Sequence, residues 1–88
     1  MRYSIVMLSS ARNAMAKLPK RDREKVDERI LALADNPRPH GAIILKGTDH
    51  SLWRVHAGDY RILYEIKNQQ LVVVIVDVGN RRDVYRNL

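Results

Sequence analysis

The stretch Leu52–Ile66, LWRVHAGDYRILYEI, most constrains what this chain can fold into. Apolar and polar residues alternate along two short arms joined by Ala57-Gly58-Asp59. Such a pattern reads as two strands and a tight turn. Successive side chains on a strand point to opposite faces. On the first arm Trp53 and Val55 therefore share one face, with Arg54 and His56 on the other. On the second arm Tyr60, Ile62, Tyr64 and Ile66 share a face, opposite Arg61, Leu63 and Glu65. The hairpin can set an aromatic and aliphatic face on a core and hold Arg54, His56 and Arg61 together on the other side.

The flanking sequence supplies the core. Tyr3–Leu8 reads as a first strand. Ser9 or Ser10 is then expected to cap a helix whose Ala11, Ala14, Met15 and Leu18 fall on one face. Pro19 ends that helix and opens the next, which runs from Lys20 or Arg21 to Asp35 with Val26, Ile30, Leu33 and Ala34 as its apolar stripe. Asn36-Pro37 stops it. Ala42–Leu45 reads as a short strand before the turn Lys46-Gly47-Thr48-Asp49. After the hairpin and a tight turn at Asn68-Gln69-Gln70 comes Leu71–Val78, an apolar run expected to be a central strand ended by Gly79. The tail is Asn80–Leu88. The expected class is α+β: an N-terminal strand, a helical hairpin, then a mostly antiparallel sheet of three to four further strands, with the helices on one face.

Eighty-eight residues suit one small domain, 1–88. A hydrophobic fraction of 45% argues against disorder. With no cysteine there is no disulfide and no thiolate metal site. Three scattered histidines, His40, His50 and His56, make a poor metal case, and no metal or other cofactor is expected. Met1–Leu8 lacks the long apolar core of a secretory signal, and Val72–Val76 is too short to span a bilayer, so a cytoplasmic protein without membrane contact is expected. The net charge of +6 favours a polyanion or an acidic partner. Asp22–Glu28 mixes both signs and reads as a solvated helix face. Arg54, Arg61, Arg81, Arg82 and Arg86 lie instead in the strand-rich half and its tail, where carboxylates are sparser.

The turn Leu45-Lys46-Gly47, the strand Leu52-Trp53-Arg54-Val55, the run Gly58-Asp59-Tyr60-Arg61-Ile62-Leu63-Tyr64 and the ending Val78-Gly79-Asn80-Arg81-Arg82-Asp83-Val84-Tyr85-Arg86 resemble the RelE/ParE superfamily of type II toxins. The resemblance covers essentially the whole chain, and it is closest to the RelE branch. It implies ribosome-dependent cleavage of mRNA, in which the RNA's own 2′-hydroxyl attacks the adjacent phosphate. It also implies a cognate antitoxin, in a hetero-oligomer, and contact with the ribosome and mRNA. By matching motif positions, Arg61 is the phosphate-binding and catalytic arginine. Arg54 is the basic residue of the preceding strand, Arg81 the arginine after the Val-Gly pair, and Tyr85 the tail tyrosine. Leu52 stands where some members carry a second lysine, and Asn80 where histidine or lysine is frequent. Two alternatives remain: a ParE-like DNA gyrase inhibitor without RNA cleavage, and a catalytically inactive member that binds an antitoxin.

The residues themselves point to similar chemistry. Attack by a 2′-hydroxyl needs a proton acceptor, a proton donor for the leaving 5′-oxygen and fixed positive charge at the phosphorus. Arginine suits the last role because its planar fork holds two oxygens and stays charged. Arg61 is the first candidate and Arg54 the second; the competing reading of Arg61 is a salt bridge to Glu65 or Asp77. Lys46, Arg82 and Arg86 are further candidates for phosphate contact. Tyr85 is a candidate base or base-stacking group, or it packs the tail on the sheet. His56 is a candidate acid or base because histidine changes charge near neutral pH, or it is a solvated hairpin-end residue.

Overall fold

The computed structural model describes residues 2–45 and 52–80. The order of elements is β1 (Ser4–Met7), α1 (Ser9–Ala16), α2 (Lys20–Asp35), β2 (Ile43–Ile44), β3 (Leu52–Ala57), β4 (Tyr60–Lys67) and β5 (Val72–Asn80). The strands form one sheet in the order β1-β5-β4-β3-β2. Among the described residues only the β1·β5 pair is parallel. Among the described residues no helix is long and apolar enough to cross a membrane.

Both helices cover one face of the sheet. Ala11 and Met15 of α1 and Val26, Ile30 and Leu33 of α2 bury against Val55, Ile62, Tyr64, Val73 and Ile75. Removing each of the larger aliphatic side chains from water contributes about 1.5–3 kcal/mol. Pro19 separates the helices as expected, and its carbonyl accepts the first helical bond of α2, from the Arg23 N–H at 2.9 Å. The expected serine cap on α1 is not made. Leu8 occupies the cap position, and the Ser10 hydroxyl instead donates 2.6 Å to the Val76 carbonyl.

That bond has a local cause. Leu63 pairs with Asp77 and Tyr64 with Ile75, so Val76 has no opposite residue on β4. One extra residue in a strand makes a β-bulge and disrupts the ladder there. Ser10 satisfies the carbonyl of that extra residue. The expected end of the last strand at Gly79 is also corrected. Gly79 and Asn80 remain in β5, paired with Arg61 and Tyr60. Glycine weakens a strand interior without forbidding it. The strand expected over Ala42–Leu45 is reduced to Ile43–Ile44, which pair with Arg54 and Trp53.

The hairpin turn is as short as its sequence suggested. Ala57 pairs with Tyr60, leaving Gly58 and Asp59 as the loop, and Gly58 takes φ +63°. A positive φ at the first of two loop residues is the type II′ arrangement that glycine permits.

Tyrosines tie the hairpin to the helical layer. Tyr64 is fully buried, donates its hydroxyl 2.7 Å to the Pro37 carbonyl and stacks on Trp53 at 6.5 Å between centroids. The Arg38 guanidinium lies 5.6 Å over the Trp53 ring and also donates to Asn68 Oδ1 at 3.1 Å. Tyr60 donates 2.8 Å to Asp22 Oδ2 in the first turn of α2.

Burial pushes the Tyr64 phenol up to about 12, against the opposing pull of Arg29 and Arg38. Its folded value therefore lies above the unfolded value of about 10. Between those values the unfolded chain loses the proton and the folded chain keeps it, so stability falls as pH rises from about 10 towards 12. In urea unfolding, Tyr64→Phe is expected to lose about 1–2 kcal/mol near pH 7, because the Pro37 carbonyl loses its donor. The same variant should show a flatter alkaline limb than wild type. The hydrogen bond to Asp22, followed by burial and then the Asp22 and Asp59 charges, raises the Tyr60 phenol as well. Spectrophotometric titration of Asp22→Asn should therefore find Tyr60 ionising at lower pH than in wild type.

Candidate functional site

The face away from the helices carries the basic hairpin residues. Arg61 and His56 stand directly opposite each other on β4 and β3. Directly opposed side chains in an antiparallel pair have Cβ atoms roughly 4.5–5.5 Å apart. Arg54 lies two residues from His56 on the same strand, so it is the diagonal neighbour of Arg61, roughly 7–8 Å away. Arg54 and Arg61 are half-buried, while His56 is exposed. On its other side Arg61 is paired with Gly79, which carries no side chain. Arg61 thus stands directly across from a histidine on β3 and from a glycine on β5, with Asp77 diagonal to it.

The open face also contains an apolar patch that the alternation alone did not reveal. Leu52 and Leu63 are buried there, with Leu45 and Val76 packed against them. Leu63 is directly opposite Arg54. It has the same parity as Arg61, two residues before it. Val76 joins this patch where the bulge lies. The long apolar run of the last strand is explained in the same way. Val73, Ile75 and Val78 are buried in the main core, while Val72, Val74 and Val76 are half-buried. Long cationic side chains lay their methylene stems along apolar surface and keep their heads in water. Leu63, opposite Arg54 and two residues from Arg61, therefore limits where those two side chains can go.

Two carboxylates share this part of the sheet. Glu65 lies 3.4 Å from Lys67 Nζ, and Asp77 Oδ1 accepts 2.8 Å from the Val78 N–H.

The expected site is only partly within view. Arg54, His56 and Arg61 are brought together on one face. Lys46, Arg81, Tyr85, Arg82 and Arg86 lie outside the described residues. Asn80 does lie within them, opposite Tyr60, so the residue before Arg81 is anchored at the closed end of the hairpin. Trp53, Tyr60 and Tyr64, assigned to the core, pack there.

One feature near the face was not anticipated. A cleft of about 390 Å³ lies between α2 and the closed end of the hairpin. Lys25, Glu28, Arg29 and Ala32 line it from α2, and residues 56–58 line it from the hairpin. Of these, Lys25 and Glu28 belong to the Asp22–Glu28 stretch whose mixed charge reads as a solvated helix face, while Arg29 and Ala32 lie beyond it. The spacing of Lys25 and Arg29, four apart on one side of the helix, was the available signal.

Comparison with known proteins places this arrangement in a family. A family model described as the ParE toxin of type II toxin–antitoxin systems, parDE, matches residues 7–85. A RelE-like toxin protein of Escherichia coli is 28% identical over 87 residues, covering 97% of this chain and 92% of that protein. The chain superposes on the RelBE2 toxin–antitoxin complex of Mycobacterium tuberculosis with a TM-score of 0.84 and 28% identity, covering 94% of this chain and 95% of that one. The archaeal RelE–RelB complex of Pyrococcus horikoshii matches with a TM-score of 0.80 and 28% identity over 94% of this chain and 99% of that one. With its hairpin, helical layer and β5 ending matched across nearly its full length, the chain belongs to the ParE toxin family of type II toxin–antitoxin systems, within the RelE/ParE superfamily.

Proposed function

We propose that residues 1–88 form a single RelE-like toxin domain that cleaves mRNA on the ribosome without a metal ion. The observation that carries this reading is the placement of Arg54 and Arg61 on one sheet face, with His56 directly opposite Arg61. In the reaction the 2′-oxygen bonds to the adjacent phosphorus and the bond from phosphorus to the 5′-oxygen breaks. The products are a 2′,3′-cyclic phosphate and a 5′-hydroxyl. Arg61 holds the non-bridging oxygens and stabilises their growing charge, and Arg54 adds a second donor from the neighbouring strand. Arg81 is assigned to the same phosphate through the family motif, with Lys46, Arg82 and Arg86 along the RNA. The 2′-hydroxyl proton must leave and a proton must reach the 5′-oxygen; Tyr85 and His56 are the candidates to carry them.

The complexes among the structural relatives support an antitoxin as the protein partner. A net charge of +6 suits a partner with an acidic segment. Cytoplasmic location follows from this reading, since ribosomes and mRNA are there.

Inhibition of DNA gyrase is the second reading, favoured by the ParE description of the matching family. Two measurements separate them. Wild type and Arg61→Ala are induced in cells and mRNA 5′ ends on ribosomes are mapped; purified protein is then assayed for inhibition of gyrase supercoiling. The ribonuclease reading expects new 5′ ends with wild type, a cleavage rate ~10²–10³ lower for Arg61→Ala, and unaffected gyrase. Equal cleavage by the two proteins would remove Arg61 from the site. Blocked supercoiling without new 5′ ends would establish the gyrase reading. No growth defect from either protein would leave an inactive, antitoxin-binding member of the fold.

Salt dependence adds a further check. If the basic residues neutralise three phosphates of single-stranded RNA, affinity should fall with salt at a log–log slope of about −2. A flat response would exclude the basic face as the RNA site.

A further inference from the structure

The cleft between α2 and the hairpin end carries Lys25 and Arg29 and borders the Arg54–Arg61 face at His56. His56 belongs to both: it stands opposite Arg61 across the sheet and lines the cleft. Beyond His56 come Lys25 and Arg29, against one carboxylate, Glu28. Among the described residues neither Lys25 nor Arg29 takes part in an ion pair. Arg29 Nε is buried without a hydrogen-bond partner among them. Arg29 and Lys25 line the cleft together, and a charged oxygen there would pair with both.

The cleft has room for such an oxygen. It holds about 390 Å³. Ala32 contributes only a methyl group, and a side-chain carbon added at Gly58 would meet nothing within 4 Å. Its only apolar residues are Ala32 and Ala57, both small. A peptide groove needs aliphatic or aromatic anchor pockets, which two alanines do not make. Two cations beside the hairpin end, with His56 between them and Arg61, suit a ligand whose negative charges repeat along a chain.

On the ribonuclease reading above, we propose that this cleft holds a backbone phosphate of the same RNA strand, adjoining the phosphate at Arg61. Lys25 and Arg29 are binding residues there, removed from the reacting bond, and they set how the strand leaves the site.

The test uses full-length protein on ribosomes programmed with an mRNA, reading half-saturation and maximal cleavage rate at several salt concentrations. The variants are Lys25→Gln, the double variant Lys25→Gln/Arg29→Gln, and Glu28→Gln. The double variant should raise the half-saturating concentration roughly tenfold and flatten the log–log salt slope by about 0.7, for the one phosphate no longer neutralised. Its maximal rate should match wild type. Glu28→Gln should shift half-saturation the opposite way. Lys25 is exposed, so Lys25→Gln alone should give roughly a threefold rise even if loss of Arg29 disturbs folding. Unchanged half-saturation and slope in both lysine variants would overturn the proposal, as would a fall in maximal rate alone. Loss of retention on poly-L-glutamate with unchanged ribosomal values would overturn it in favour of an acidic protein ligand. A wild-type protein that cleaves no mRNA would instead overturn the ribonuclease reading, and this inference with it.

Discussion

The register of β4 between β3 and β5 is the constraint on which the rest depends. With that register, Ile62 and Tyr64 enter the core and Arg61 and Leu63 face away from it. A slip of one residue would reverse every side chain on the strand. It would put the Arg61 guanidinium under the helices, where burying an unpaired charge is strongly unfavourable. The fully buried Tyr64 and Ile62 therefore hold the basic residues on the open face as firmly as any direct contact does. The Tyr64 bond to Pro37 and the Arg38 contact on Trp53 fasten the same strands to the segment following α2.

The second determinant is the bulge at Val76. It lets one strand serve two apolar surfaces, with Ile75 in the main core and Val76 in the patch with Leu52 and Leu63. It also frees a carbonyl that α1 reaches through Ser10. Beyond the bulge the strand recovers its pairing, and Gly79 comes to rest beside Arg61. Core, helix placement and candidate site thus meet in a few residues of β5.

Much of this was legible in the sequence. Period-two alternation gave the faces of the hairpin, because no bulge interrupts the β3·β4 register. Pro19 and Asn36-Pro37 marked the bounds of α2, since proline's missing N–H and fixed φ act locally. What was not legible depended on tertiary context. A cap and a strand-bonding serine look alike until the bulged carbonyl is in place. The end of β5 depended on Tyr60 and Arg61 as partners for Asn80 and Gly79, which outweighed the weak strand preference of glycine. The apolar patch on the open face needed residues from four separate segments to converge. Lys25 and Arg29 carried no motif, and only the packing of α2 over the hairpin end gave them a shared cleft with His56. Of the site, family resemblance supplied Arg81 and Tyr85, while alternation alone placed Arg54, His56 and Arg61 on one face.

On the proposed function, the basic sheet face cleaves RNA. The most direct test of this is incubation of the isolated full-length protein with mRNA-programmed ribosomes and with the same mRNA alone, followed by analysis of product ends. The account predicts cleavage on the ribosome, leaving a 2′,3′-cyclic phosphate and a 5′-hydroxyl. Intact mRNA on the ribosome, or products bearing a 5′-phosphate, would contradict it.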